Sequence, residues 1–145
     1  MKIEIVPYRV RGSVAAPPSK SHVHRLLIAA ALADGESRIF GAADSEDISA
    51  TVDCLRALGA DVVRTDSGFT VRGCAGKPHA DGRTLPCRES GSTMRFLLPV
   101  SLIGGGAELS GSARLIERGV GVYRDILVPR GVTFDIAPER VSVRG

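Results

Sequence analysis

Apolar residues recur at helical spacing in two successive parts of the chain, and short alternating runs follow each of them. The first part begins after Pro17 and Pro18, which disfavour helix before them, and Ser19 is placed to cap a helix start. The apolar stripe of this predicted helix ends at residues 34–35. The elements predicted after it are a strand over 37–40, a helix from 45 to 59, and strands over 61–64 and 69–72.

The second part repeats the same order of elements. Arg25 and Arg95 are 70 residues apart, and Gly59 and Gly131, which end the second helix of each part, are 72 apart. The elements predicted here are a helix from 90 to the glycine run at 104–106, a strand over 107–110, a helix over 120–128, and strands over 132–136 and 141–143.

This duplication predicts an α/β (α+β) chain made of tandem βαβαββ units. Residues 17–73 are the first predicted unit and residues 74–145 are the second. Residues 1–16 precede both units as an arm, and the alternation of polar and apolar residues over 1–5 predicts a strand there.

Composition narrows the class of protein. The chain has 145 residues, 43% hydrophobic and 24% charged, which is typical of a folded domain and excludes a disordered one. No apolar run reaches the roughly 20 residues of a membrane span, and the N-terminus lacks a signal-peptide pattern, so a cytoplasmic location is expected. Cys54, Cys74 and Cys87 are too scattered for a disulfide scaffold and are interpreted as inert thiols.

The net charge of +3 suits an anionic small ligand as well as a nucleic acid. The chain has no tryptophan, two tyrosines and four phenylalanines, so it lacks the aromatic surfaces on which single-stranded nucleic acids stack. The charge by itself does not decide between a small anion and a nucleic acid; the missing aromatic residues count against a nucleic acid, and we expect neither a nucleic acid nor a membrane as a partner.

Each predicted unit opens with a hydroxyl-rich helix start and an arginine one turn into the helix. A helix N-terminus presents unpaired N–H groups and a partial positive charge, which suit a phosphate or a carboxylate. Taken alone, either start is better explained as an ordinary cap with solvated cations, but the repetition favours anion binding. The residues are Lys20, Ser21 and Arg25 in the first unit, and Gly91, Ser92, Thr93 and Arg95 in the second.

A third basic segment, over 114–119, lies between a predicted strand and a predicted helix. Glu117 is placed to hold Arg118 for bidentate binding of a carboxylate or phosphate, but a solvated loop explains the same spacing equally well. The chain has no nucleotide-binding glycine loop and no histidines at metal-ligand spacing.

At three places the sequence resembles the enolpyruvyl transferase family. Residues 18–27 are similar to the N-terminal signature of that family, and Lys20-Ser21 has the form of the branch that acts on shikimate 3-phosphate. The branch that acts on UDP-N-acetylglucosamine has Lys-Asn there. Residues 89–95 resemble the Asn-Ala-Gly-Thr-Ala-Met-Arg segment of the family, and residues 117–119 resemble its Glu-Arg-Pro.

The resemblance implies an inside-out α/β barrel fold and transfer of the enolpyruvyl group of phosphoenolpyruvate to the 5-hydroxyl of shikimate 3-phosphate, with release of phosphate. It implies a catalytic role for Lys20, which contacts both substrates, and no metal or organic cofactor. The other implied contacts are Ser21 and Arg25 with shikimate 3-phosphate, Gly91 with phosphoenolpyruvate, and Arg118 with its phosphate or carboxylate. Ser92, Thr93 and Arg95 are possible further site residues.

The chain departs from the family pattern in composition and in extent. Glu89-Ser90 replaces Asn-Ala, and Phe96 and Gly119 replace prolines. The family enzyme has two domains of three units each, whereas two units are present here, so we expect an incomplete domain without turnover of its own. Because stacked units bury faces against one another, we also expect self-association through an uncovered face. The alternative is a non-catalytic anion-binding module of the same fold.

Overall fold

The computed structural model describes residues 3–4, 6–9, 11–42 and 45–145. A short 3₁₀ turn lies at Val128–Arg130, directly after the fifth of the five helices given next. The helices and strands follow in the order α1 (Lys20–Leu32), β1 (Glu36–Phe40), α2 (Glu46–Ala57), β2 (Asp61–Thr65), β3 (Gly68–Arg72), β4 (Thr84–Arg88), α3 (Gly91–Ile103), β5 (Gly106–Gly111), α4 (Ala113–Glu117), α5 (Gly121–Leu127), β6 (Thr133–Ala137) and β7 (Arg140–Arg144).

The three long helices begin where the sequence predicts. Ser19, Ser45 and Ser90 each accept a hydrogen bond from the backbone N–H three residues further on, so each serine caps a helix. The helices end at or near glycines, and Gly104 forms the C-cap of α3. Local capping chemistry therefore determines where these elements start and stop.

Two sheets repeat one topology. In the first sheet the strand order is β1-β3-β2, and in the second, β4-β5-β7-β6, the last three strands have the same arrangement. The register is also repeated. Asp61 is opposite Arg72 in the first sheet, and the residues 72 positions later, Thr133 and Arg144, are opposite each other in the second sheet. This symmetry, with helices packed against both sheets, confirms an α/β fold built from duplicated units.

The second unit has a strand that the sequence analysis did not predict. β4 pairs in parallel with β5 and turns Leu85 and Cys87 into the core. Pro86 lies in the middle of this strand, and because proline is rare inside strands, the segment gave no strand signal. With β4 the second unit has the complete βαβαββ order.

Other predictions are corrected. The helix predicted over 120–128 is α5 followed by the 3₁₀ turn, and α4 lies in the segment expected to be a loop. The strand predicted over 1–5 falls partly outside the described residues, and Ile3 and Glu4 are not in a strand. Ile3 is 74% exposed and Tyr8 is 85% exposed, so the described part of the arm packs against little, and a strand without a partner is not stable.

One core runs through both units. α2 packs against α1, α3 and β4, so the second unit covers a helix of the first. Cys54 on α2 and Cys87 on β4 are both fully buried at this junction. A hydrogen bond with Cys87, together with burial, raises the pKa of the Cys54 thiol, which confirms the interpretation of Cys54 as inert.

The division of the chain into 1–16, 17–73 and 74–145 stays a prediction, and the two sheets agree with it because β3 ends at Arg72 and β4 begins at Thr84. In the described part of the chain, no helix combines the length and the apolar character needed to cross a membrane.

A substitution at Gly68, the first residue of β3, tests how closely β3 packs against β1 in the first sheet. It has φ +148°, and a Cβ built there would lie 2.0 Å from the Ile39 backbone oxygen. We expect Gly68→Ala to lower the free energy of unfolding by about 3 kcal/mol, measured by urea denaturation. Gly76, with φ +71° and nothing within 4 Å of its added Cβ, is the control. Gly76→Ala should cost only about 1–2 kcal/mol, and equal losses would contradict the close approach.

Candidate functional site

The start of α1 is tied to the start of α2. Lys20, the first residue of α1, places its Nζ 2.5 Å from Oδ2 of Asp47, in the first turn of α2. The Lys20 side chain remains 53% exposed, so its ammonium can still face a ligand. The ion pair brings together two helix N-termini that are 27 residues apart in the sequence.

The start of α3 also contacts Asp47. Thr93, in the first turn of α3, donates from its hydroxyl to the backbone oxygen of Asp47 at 3.3 Å. The N-termini of α1, α2 and α3 therefore converge around Asp47. Because each N-terminus carries a partial positive charge and unpaired N–H groups, their convergence is suited to a multiply charged anion.

A chain of buried polar side chains lies beneath this convergence. His24 Nδ1 is 2.8 Å from the Thr51 hydroxyl, which is 2.7 Å from the Thr93 hydroxyl. Thr93 Oγ1 is in turn 2.7 Å from Ser90 Oγ, the cap of α3. His24, Thr51 and Thr93 are fully buried, and Ser90 is nearly so. This row of hydrogen-bonded side chains runs from α1 through α2 to α3.

The pKa of His24 is lowered, chiefly because burial disfavours the imidazolium. The charges of Lys20 and Arg25 lower it further, while the Asp47 carboxylate acts in the opposite direction. His24 is therefore a neutral structural histidine at physiological pH.

Arg25 is held between α1 and α3. Its guanidinium lies 5.2 Å from the centre of the Phe96 ring, and its Nη1 donates to the Ser21 backbone oxygen at 3.0 Å. A cation over an aromatic face is attracted by the ring quadrupole. Phe96, which replaces a proline of the family pattern, thus gives Arg25 a fixed place beside the start of α3.

Arg95, whose role the sequence left open, holds the backbone next to Arg118. Its Nη2 donates to the Arg118 backbone oxygen at 3.3 Å. Pro99, four residues further along α3, has no N–H to donate to the Arg95 oxygen, and the Tyr123 hydroxyl of α5 donates to it at 2.9 Å instead. A helix-interior proline thereby anchors α5 and the Arg118 segment to α3.

The expected link between Glu117 and Arg118 is not among the ion pairs of the described residues. Arg118 is exposed at the C-cap of α4, where Arg95 holds its backbone. Gly119, in place of a proline, has φ +107°, which proline cannot adopt, so the departure fits the turn from α4 into α5.

The glycine and hydroxyls at the start of α3 have different surroundings. A Cβ on Gly91 would meet only Leu115 Cδ1, at 3.7 Å, so the protein itself leaves room there for a ligand. Ser92 is partly exposed. Thr93 is turned inward into the buried polar chain, where its hydroxyl supports the site from below.

A second ion-pair group ties the end of β4 to α2. Arg88 contacts Glu46 at 3.0 Å and Asp53 at 2.5 Å. It has φ +55°, a left-handed conformation that costs a non-glycine residue energy, where the β4–β5 register shifts. Arg88 therefore places the last residues before α3 against the first turns of α2.

Several of these residues were missed by sequence reasoning. Asp47 and His24 were not among the candidate site residues of the sequence analysis. The i, i+4 spacing of Asp47 and Thr51 was an available signal for one face of α2. Thr93, Phe96 and Arg88 had no signal for their partners, since those partners lie on other elements.

None of the cations Lys20, Arg25, Arg95 and Arg118 lines the cavity that lies beside α2. That cavity, of about 270 Å³, is on the face of α2 opposite Asp47. Within the described ranges, no three His, Cys, Asp or Glu side chains come together as metal ligands. The residues that line the cavity are Ser49, Val52, Asp53, Arg56, Arg64, Phe69 and Arg88.

Comparison with known proteins identifies the family of the chain. The sequence model of the family described as EPSP synthase (3-phosphoshikimate 1-carboxyvinyltransferase) matches residues 6–143. A 3-phosphoshikimate 1-carboxyvinyltransferase of Clostridium botulinum is 36% identical over 146 aligned positions, covering 97% of this chain and 34% of the relative. One from Methanosphaerula palustris is 45% identical over 116 positions, covering 77% of this chain and 27% of the relative.

A solved structure of EPSP synthase from Acinetobacter baumannii superposes with a TM-score of 0.76 at 25% identity, covering 92% of this chain and 32% of that one. The chain thus spans about a third of the length of the relatives that it matches. The duplicated fold agrees with that superposition, and the family match extends over nearly all of the residues described above. The chain belongs to the EPSP synthase family.

Proposed function

We propose that this chain supplies one cationic side of a site for enolpyruvyl transfer from phosphoenolpyruvate to the 5-hydroxyl of shikimate 3-phosphate. The observation that carries the proposal is the convergence of three helix N-termini at Asp47, with Lys20 beside them. Both substrates are multiply anionic, and the relatives are named as 3-phosphoshikimate 1-carboxyvinyltransferases.

In the proposed reaction the 5-hydroxyl oxygen adds to the enol carbon of phosphoenolpyruvate as it loses its proton, and the methylene carbon gains a proton. Loss of a proton from that carbon and of phosphate from the tetrahedral adduct then restores the double bond. Lys20 contacts both substrates, and its ammonium stabilises the negative charge on the phosphate as it leaves. Ser21 and Arg25 hold shikimate 3-phosphate, with the guanidinium positioned by Phe96. Phosphoenolpyruvate lies against Gly91, and Arg118 binds its phosphate or carboxylate.

Three carboxylates near this surface are already engaged in ion pairs. Asp47 pairs with Lys20, and Glu46 and Asp53 pair with Arg88. A carboxylate whose oxygens already accept from a cation has fewer lone pairs with which to take a proton from a substrate. The chain is therefore expected to bind anions without catalysing the transfer by itself. This expectation combines membership of the enzyme family with the behaviour of a non-catalytic binding module.

The proposal places the protein in the cytoplasm. Support comes from Cys54, Cys74 and Cys87, which are all free thiols, since disulfides are rare in that compartment. The reaction as proposed uses no metal or organic cofactor.

Calorimetric titration with shikimate 3-phosphate tests the binding site. Lys20→Ala and Arg25→Ala should each weaken binding about tenfold or more, because each removes a charged hydrogen-bond donor worth about 1.5–3 kcal/mol. Lys77→Ala is the charge-matched control, since Lys77 is exposed in the loop after β3. Equal weakening by all three variants would mean that general charge, rather than this site, attracts the ligand.

Turnover is tested separately by measuring phosphate release with both substrates present. We expect no release above the background of a Lys20→Ala sample, because positioning and proton transfer both require groups on the other side of the substrates. Release that depends on Lys20 would show that the 145 residues suffice for the reaction.

Self-association is expected through α5. None of its residues is buried, whereas its counterpart in the first unit, α2, buries six. Val122 is 69% exposed and Ile126 is 48% exposed on this helix. Sedimentation velocity at micromolar concentration should show a dimer or larger species, and Ile126→Lys should shift it towards monomer. A wild-type chain that stays monomeric contradicts the expectation.

A further inference from the structure

The buried chain His24–Thr51–Thr93–Ser90 does more than fill the core between three helices. Thr51 Oγ1 lies 3.2 Å from the Asp47 backbone oxygen, and Thr93 Oγ1 lies 3.3 Å from the same oxygen. One threonine belongs to the helix of Asp47 and the other to α3. The carbonyl of Asp47 is thus bound from two helices, while its carboxylate binds Lys20.

The proton on His24 can be assigned from its surroundings. Nε2 is buried with no hydrogen-bond partner among the residues that the structure describes, whereas Nδ1 faces Thr51 at 2.8 Å. An orphaned N–H donor is rarer in proteins than an orphaned acceptor, so the proton belongs on Nδ1. His24 then donates to Thr51, and the Thr51 proton is free to go to Asp47 or Thr93.

This arrangement gives the Thr51 hydroxyl both an acceptor and a donor role. Thr51 accepts from His24 and donates to the Asp47 oxygen, and Thr93 has one proton to direct to Thr51, to Ser90 Oγ or to the same Asp47 oxygen. If the proton were on Nε2, Thr51 would have to donate to His24 and would lose its bond to Asp47. The neutral Nδ1–H form of His24 therefore keeps the tie between Thr51 and Asp47.

We propose that Thr51, supported by His24 and joined to Thr93, is a positioning residue for the anion site. Its hydroxyl fixes the first turn of α2, so that the Asp47 carboxylate holds Lys20 at a set place relative to the start of α3. Thr51 is fully buried and acts through Asp47 rather than on a ligand. The inference deepens the proposed function and rests on it.

Two substitutions at one position separate the hydroxyl from the shape of the side chain. Thr51→Val keeps the shape and removes the hydroxyl, whereas Thr51→Ser keeps the hydroxyl and removes a methyl group. We expect Thr51→Val to weaken shikimate 3-phosphate binding about fivefold, the value of one ordinary hydrogen bond. Thr51→Ser should bind within about twofold of wild type, although it loses core packing.

Ser101→Ala is the matched control. Ser101 is a fully buried hydroxyl on α3 that donates to the Leu98 oxygen at 2.8 Å, outside the network at Asp47. Its loss should lower stability as Thr51→Val does but leave binding within about twofold of wild type. Urea unfolding of each variant shows that the proteins compared are folded.

The nitrogen resonances of His24 give a second readout that needs no ligand. Nitrogen NMR of wild type should show a neutral ring protonated on Nδ1, and Thr51→Val should perturb this signal while Ser101→Ala does not. Binding by Thr51→Val equal to wild type, or Thr51→Ser as weak as Thr51→Val, overturns the proposal, as does a proton on Nε2. A wild type that binds no shikimate 3-phosphate, with His24 as expected, overturns the proposed function and leaves the network as a structural feature only.

Discussion

The structure depends on the placement of Asp47. Three helix N-termini, each with a partial positive charge, would repel one another if brought together without compensation. Asp47 supplies that compensation, because its carboxylate pairs with Lys20 and its backbone oxygen accepts from Thr51 and Thr93. The same arrangement that lets the helices meet leaves N–H groups and an exposed ammonium at one surface, so the packing of the helices and the proposed anion site depend on the same residue.

The departures from the family pattern have local compensations. Phe96 supplies a ring for the Arg25 guanidinium, and Gly119 permits a turn that proline would forbid. Pro99 leaves a helix carbonyl without its usual donor, and Tyr123 fills that place from another helix. Phe96 changes the neighbour that holds the Arg25 guanidinium, and this cation stays beside the start of α3. The position of the cation is thus retained although a neighbouring residue differs from the family sequence.

Much of the fold was predictable, because it follows from local chemistry. Caps at Ser19, Ser45 and Ser90 and the repeated hydrophobic spacing predicted the long helices and most strands. β4 was not predictable, since its strand conformation is stabilised by parallel pairing with a segment some 20 residues later and by burial between the units. The arm shows the opposite case, because its alternation predicted a strand but its described residues have no neighbouring strand to pair with.

The sequence by itself determined the duplication, the positions of the helix starts, and the cations Lys20, Arg25, Arg95 and Arg118. Only the tertiary structure decided which groups those cations meet. Spacing along a helix sets the face on which a side chain lies, but the contacts from Lys20 to Asp47 and from Thr51 to Thr93 join residues 27 and 42 positions apart. Such contacts depend on how the helices pack against one another, and that packing is determined by the shared core rather than by any local pattern.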